Sequence, residues 1–345
     1  NSYLYLTQGI FMKKNWLIKK KEGLYCIPGN FYLDPSYPVD LALITHSHTD
    51  HARPGNNKIL ATNDTINIMK IRYGKNYCNY SQKIDLDETI NVNGVNIKFI
   101  SAGHIIGSSQ IYLEYKGEIV IISGDYKRRK DVTCAPFEVK KCHTFITEAT
   151  FGLPIFTHPE DKQEAKKIIK SMENNKEYCH LIGVYALGKC QRLITILREL
   201  GFNDIIYLHG ALMKISEYYK ERKINLGIIK NISELKTNEY AGKLILCPPS
   251  SLSDRWSQKF RNVIKGFVSG WMSIKQRVKQ KNIELPIVIS DHADWNELLN
   301  TIKDVSPNNV LVTHGREDGL VHWCRTQGLN SIPLALVGRN EDSGL

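Results

Sequence analysis

No stretch of this chain approaches the roughly 18 to 20 consecutive apolar residues that a membrane-spanning helix needs, which argues against an integral membrane protein. The opening stretch, "NSYLYLTQGIFMKKNW", lacks the basic-then-apolar order of a secretory leader. C-x-x-C pairs are also missing: the eight cysteines, at positions 26, 78, 134, 142, 179, 190, 247 and 324, are irregularly spaced. A structural zinc site or a disulfide framework shows regular spacing, so these are expected to be reduced thiols of a cytoplasmic protein. Internal repeats and low-complexity tracts are absent too, which speaks against a solenoid or a flexible tail.

What is present is a globular composition, with 42% hydrophobic and 23% charged residues in 345, enough for one large core or two ordinary ones. The charge is lopsided. A net +11 is concentrated in "KKNWLIKKK" (13–21), "YKRRK" (126–130), "VKK" (139–141) and "KQRVKQK" (275–281). Such clusters on a cytosolic protein favour a polyanionic partner, nucleic acid first.

One local pattern recurs along the chain: a short apolar, β-branched run followed by a metal-binding or acidic residue. "LALIT" precedes His46, "VNIKFIS" precedes His104, and "EIVIIS" leads to Asp125. "TFIT" leads to Glu148, "LPIVIS" to Asp291 and His292, and "NVLVT" to His314. Each run has strand length and composition. Six of the eleven histidines fall at these ends, which is expected to gather one site along one sheet edge. Helical spacing appears in "DWNELLNTIKDV" (294–305) and "KCQRLITILREL" (189–200), so strands alternate with helices in an α/β protein. The stretch 156–283, helix-rich and with its own strand "HLIGVYA", reads as a second domain inserted between 1–155 and 284–345.

The densest motif is "THSHTDH", residues 45–51. In extended backbone alternate side chains point the same way, so His46 and His48 can grip one cation. Asp50 and His51 can then turn to a second. His104 would complete the first ligand set, Asp125 would bridge both, and His314 would close the second. Imidazole with carboxylate fits zinc, and manganese is compatible with the harder ligands.

"THSHTDH", "AGHIIGSS" (102–109) and "SGDYKR" (123–128) resemble the metal motifs of the metallo-β-lactamase fold. Glu148 in "ITEATFG", His292 in "SDHADW" and His314 in "VTHG" resemble the three further motifs of its β-CASP nuclease branch, whose extra domain is inserted where the insertion falls here. "YALGKCQR" (185–192) resembles that branch's strand–loop–helix stretch. From "GLYCIPGNFYLDP" through "TCAPFE" and "FVSGWM" to "ISDHADW", the whole chain is most similar to the bacterial DNA ligase-associated exonucleases.

The resemblance implies a metallo-β-lactamase αββα sandwich with an inserted β-CASP domain. It further implies a two-metal nuclease that hydrolyses DNA phosphodiesters, an exonuclease in end processing and repair, associated functionally with a DNA ligase and a helicase. His292 would be the general acid, Glu148 would orient it and raise its pKa, and Asp50 would count with both the metal and the catalytic residues. Because His314 is kept, as in the RNA-processing members, a ribonuclease maturing RNA ends is the alternative. Ser108, Ser109, Lys127, Lys189 and Gln191 are expected phosphate contacts, the last two at a helix N-terminus. Trp271 would stack on a base or pack internally. Asp34 and Asp40 are equally placed as the fold's early structural aspartate.

Overall fold

Alternation decides the first layer. Leu24 and Cys26 are buried on either side of a half-buried Tyr25, and Phe31 and Leu33 flank Tyr32 in the same way. Such strands need cover on one face. The computed structural model describes residues 16–236 and 239–336, and the first three residues of the 13–21 basic cluster, like most of the opening stretch, lie outside them.

Two units divide the chain. The described part of the first lies within Asn1–Lys130, Cys134–Ile155 and His292–Leu345. Its first sheet runs in order β1 (Leu17–Lys19), β2 (Leu24–Cys26), β3 (Phe31–Leu33), β4 (Leu41–Leu43), β5 (Asn56–Ala61) and β6 (Cys78–Lys83), with helix α1 (Asn63–Tyr73) after β5. A second sheet begins with β7 (Thr89–Val92), β8 (Val95–Ser101), β9 (Ser109–Tyr115), β10 (Glu118–Ile122) and β11 (Thr144–Ala149).

The second unit comprises Asp131–Thr133 and Phe156–Asp291. Its strands are β12 (Cys179–Gly183), β13 (Ile206–Leu208), β14 (Ile229–Asn231), β15 (Leu244–Cys247), β16 (Val263–Val268) and β17 (Leu285–Ile287), paired in parallel in the order β14-β13-β15-β12-β16-β17. Every residue of β12 and β15 is buried, as strands covered on both faces must be. Helices α2 (Asp161–Asn174), α3 (Lys189–Glu199), α4 (Gly210–Glu221) and the short α5 (Lys275–Gln280) belong to this unit. It extends to Asp291 rather than 283 because "LPIVIS" opens as β17, which pairs with β16.

The chain returns to the first unit with α6 (Trp295–Val305), β18 (Asn309–Gly315), α7 (Glu317–Thr326) and β19 (Asn330–Pro333). These strands complete the second sheet in the order β19-β18-β11-β10-β9-β8-β7. Leu24, Phe31, Leu43 and Leu60 of the first sheet meet Ile97, Phe99, Leu113 and Val120 of the second in one core. Ile66 and Met69 of α1 cover Ala42, Ile59 and Ala61 on the outer face of the first sheet. Leu298 and Ile302 of α6, with Leu320 and Val321 of α7, cover Phe145, Val310 and Val312 on the outer face of the second. The layers are therefore helix, sheet, sheet, helix. Each of these leucines and isoleucines contributes about 1.5–3 kcal/mol by leaving water.

Helix α6 shows why the sequence was readable. Asp294 caps it by accepting from Glu297 N–H, Glu297 reaches back to Asp294 N–H, and Ser306 ends it in the left-handed region before Pro307. Among the described residues no helix is long and apolar enough to cross a membrane. All eight cysteines are unbridged. Burial pushes the thiols of Cys26, Cys142, Cys179 and Cys190 up to about 12, so none is a reactive thiolate near neutrality.

Candidate metal centre

The first sheet supplies the histidine motif from the end of β4. The turn after His48 closes with His51 N–H donating to the His48 carbonyl at 3.1 Å, which swings Asp50 outward and His51 inward. Arg72, on α1, steadies this loop by donating to the Ser47 carbonyl (2.7 Å) and the Thr49 hydroxyl (2.5 Å). The second sheet supplies His104 after β8, Asp125 after β10, Glu148 within β11 and His314 within β18. The site thus draws on the ends of both sheets, not one, because the sandwich brings the two together.

Imidazoles crowd this edge. Ring centroids lie 4.9 Å apart for His46 and His48, 4.8 Å for His46 and His104, 4.2 Å for His46 and His51, and 4.9 Å for His51 and His314. Among the described residues, donor atoms converge within 4.8 Å in three groups: His46, His48, His104 and Asp125; His51, Asp125 and His314; and Asp125, Glu148 and His292. Asp50 stands at the exposed rim beside the second group, its carboxylate 3.8 Å from His51 Nε2.

The supports beneath this layer settle which nitrogens face inward. Asp34, at φ 41°, accepts from Thr45 N–H at 2.7 Å and from the Thr45 hydroxyl at 2.5 Å. With its proton so committed, the Thr45 oxygen accepts from His46 Nδ1, 3.0 Å away. The same Asp34 carboxylate lies 2.7 Å from His51 Nδ1. Both rings therefore present Nε2 inward, and both Nε2 atoms are buried with no hydrogen-bond partner. Two buried, unsatisfied acceptors on either side of a buried carboxylate fit a pair of divalent cations. Asp34 is thus the structural aspartate; Asp40 is exposed and takes no part. Asp34→Ala is expected to weaken cation binding by about 10- to 100-fold, while Asp40→Ala leaves it unchanged, as read by competition with a chromophoric chelator.

The electrostatics agree. Burial, and then the charge of His51, push the His46 pKa down, which keeps it the neutral ligand a cation requires. Burial also opposes charge on His51, but Asp125 and the Asp34 bond outweigh it and lift that ring to about 10. A cation must displace this proton. Burial pushes the Asp125 carboxyl up, yet His51, then His292 and His46, hold it well below the usual carboxylate range.

Backbone shape aims the remaining ligands. Gly124 has φ 55° and a Cβ there would stand 2.8 Å from Thr45 Cβ, so only glycine lets Asp125 approach the histidine motif. His314 occupies a bulge in β18, with Glu148 opposite Thr313 and Ala149 opposite Gly315. At φ 52° it is turned out of the ladder and towards His51.

Beside the bridging carboxylate, His292 Nδ1 lies 2.9 Å from Glu148 Oε2 and 3.9 Å from Asp125 Oδ2. Glu148 is fully buried. It accepts from Tyr126 N–H at 2.7 Å and the Thr150 hydroxyl at 2.5 Å as well, which locks its orientation.

Most of the expected phosphate contacts have partners within the protein. The Ser108 hydroxyl accepts from His104 and Ile105 N–H (3.1 and 3.2 Å) and so closes the turn that presents His104. Ser109 donates to the Thr45 carbonyl through both N–H and hydroxyl. Gln191, fully buried, accepts from Gly188 N–H and donates to Ala186 O and the Ser216 hydroxyl. Lys127 is completely buried, and Lys189 pairs with Asp291 at 2.8 Å. Trp271 packs edge-to-face on Phe156 with Arg277 4.2 Å from its ring centre, the internal role rather than the stacking one. Two of the four basic residues of "YKRRK" are taken up by acids of α6 and its cap: Arg128 pairs with Asp304 and Arg129 with Asp294. Thr45, Thr150 and Arg72 were missed, although the two threonines stand beside motif residues.

No family model matches the chain. Curated relatives do. Over 329 residues it is 26% identical to a probable DNA ligase of Opitutus terrae, a match covering 92% of this chain and 31% of that protein. Over 392 residues it is 24% identical to endoribonuclease YSH1 of Kluyveromyces lactis, covering 86% and 51%. It is also 23% identical over 345 residues to an RNase J-like protein of Methanocaldococcus jannaschii, covering 80% and 82%. These homologues are metallo-β-lactamase/β-CASP proteins, and the chain has their mixed α/β fold. A solved structure of a protein of unknown function from Enterococcus faecalis shares the fold of this chain, with a TM-score of 0.54, 11% identity, and coverage of 80% and 75%. The chain spans about a third of the ligase-named relative and about half of the Kluyveromyces lactis relative.

Proposed function

We propose that this protein is a metal-dependent DNA nuclease, an exonuclease of DNA end processing and repair that works in the cytoplasm alongside a ligase and a helicase. The observation that carries the nuclease reading is the His292–Glu148 pair, 2.9 Å apart, set against the same Asp125 that serves both cation groups. A phosphodiester needs a leaving oxygen that does not depart as bare alkoxide. Glu148 holds the proton of His292 Nδ1, which leaves Nε2 to protonate that oxygen. A neighbouring carboxylate also favours the imidazolium form that an acid must have. Two divalent cations, zinc or manganese, would supply hydroxide at neutral pH and neutralise the charge gathering on the phosphate.

The DNA reading is supported by the ligase-named relative, which matches 92% of this chain. The relatives named endoribonuclease and RNase J-like favour the second reading, maturation of RNA ends by the same chemistry. Metal-stripped protein resupplied with zinc or manganese is to be tested on end-labelled single-stranded DNA and on RNA of the same sequence. Stepwise, metal-dependent shortening of DNA is expected, with the label released first giving the polarity. Preference for RNA would replace the first reading with the second.

A further inference from the structure

The segment that delivers His292 has no ladder to hold it. Between β17, ending at Ile287, and α6, beginning at Trp295, the chain is irregular. Three side chains from helices of the second unit hold it instead. Glu164 of α2 accepts from Val288 N–H at 2.8 Å. Arg192 of α3 donates to the Ser290 carbonyl at 3.3 Å and pairs with Asp131 at 2.5 Å. Lys189, at the first position of α3, pairs with Asp291 at 2.8 Å, with side chains only 7% and 3% exposed. His292 is the next residue. On its other side Ala293 N–H donates to the Tyr126 carbonyl at 2.6 Å, and Asp294 pairs with Arg129 at 3.0 Å.

A buried ion pair is a poor source of stability, since desolvation of both charges offsets their attraction and apolar groups of the same size serve as well. What it adds is direction. Lys189 is buried and closely paired, and its partner immediately precedes His292, the residue read above as the general acid.

We propose that the Lys189–Asp291 pair is a positioning device for His292: it fixes the backbone from which the imidazole reaches Glu148. This rests on the reading of His292 as general acid. The two residues act as one unit, so breaking the pair from either side has the same consequence, and breaking it twice adds nothing.

The test compares Lys189→Met, Asp291→Asn and the double variant on two substrates. One is an oligonucleotide, whose leaving alkoxide needs a proton; the other is a p-nitrophenyl nucleotide ester, whose phenolate leaves without one. Displacing a catalytic group by an ångström costs up to about 100-fold. The expected result is a fall of about 10- to 100-fold in kcat on the oligonucleotide, with KM unchanged. The same variants lose far less on the nitrophenyl ester, and the double variant is no worse than either single one. A rise in KM on both substrates, or a silent Asp291→Asn beside a damaged Lys189→Met, would return Lys189 to substrate binding and overturn the proposal. Equal losses on both substrates would overturn it as general damage. Should the single variants fail to fold, Lys189→Met/Asp291→Leu removes both charges and carries the same comparison. A crystal structure of the Lys189→Met or double variant reads the geometry without activity. Loss of the 2.9 Å contact between His292 Nδ1 and Glu148 is expected; its retention refutes the device, even if the protein cleaves neither substrate and the nuclease reading itself has failed.

Discussion

Asp125→Asn is expected to empty both cation groups together and to lower phosphodiester cleavage by on the order of 10³-fold or more, the equivalent of several kcal/mol of charge stabilisation. Its carboxylate is the common member of all three converging groups. One oxygen, Oδ2, lies 3.4 Å from His46 Nε2, 3.5 Å from His51 Nε2 and 3.8 Å from His104 Nε2. Asparagine keeps the shape but loses the charge, so the change isolates electrostatics from packing. It also removes the charge that does most to raise the His51 pKa, and the ring loses a reason to stay protonated. That makes the variant easier to deprotonate at His51, yet poorer at holding cations, because a neutral amide does not offset two positive ions. His314→Ala should be milder, since that ring is exposed and belongs to one group alone. Elemental analysis of the purified variants, beside cleavage assays, checks both statements. Retention of two cations by Asp125→Asn would remove its bridging role.

Local signals carried much of this in advance. Four metal-type residues lie within six positions at 46–51, after a run that is strand-like by composition, and no tertiary knowledge is needed to see that. Helix α6 was equally legible from its cap, its apolar spacing and Pro307. The choice between Asp34 and Asp40 was not. It depends on which carboxylate the fold brings to Thr45 and His51, 11 and 17 residues away, and both aspartates look alike locally. Ser108, Ser109 and Gln191 show a related limit, since their internal hydrogen bonds were not visible in the sequence. A hydroxyl beside a glycine has the same local signature whether it meets a phosphate or closes its own turn, and only burial separates the two. The 126–130 cluster counted towards the basic charge because its partners, Asp294, Glu297 and Asp304, are distant in sequence. "LPIVIS" was read as a strand of the first domain, and nothing local reveals that β17 pairs with β16 of the second unit.

His292→Ala should lower oligonucleotide cleavage by about 10²- to 10⁴-fold, the range that a positioned acid contributes, while leaving the cations of the His46 group in place. The ring lies 4.8 Å from His104 between centroids, but its own hydrogen bond goes to Glu148. Removing it therefore spares the two Nε2 atoms that Asp34 aims inward. The loss should shrink on a p-nitrophenyl ester, because that leaving group needs no proton. Glu148→Gln is the informative companion. Glu148 accepts from Tyr126 N–H, the Thr150 hydroxyl and His292 in a fully buried place, and a glutamine presents one accepting oxygen and two donors to the same three partners. At least one partner is left unsatisfied, at about 1–3 kcal/mol of stability, and the imidazolium loses the carboxylate that favours it. The alkaline limb of the pH–rate profile should therefore move to lower pH with Glu148→Gln, since His292 must be protonated to act and loses its proton as the pH rises. A profile that keeps its shape, together with equal losses on both substrates, would mean that Glu148 and His292 only hold the fold of this edge and that the proton reaches the leaving oxygen from elsewhere.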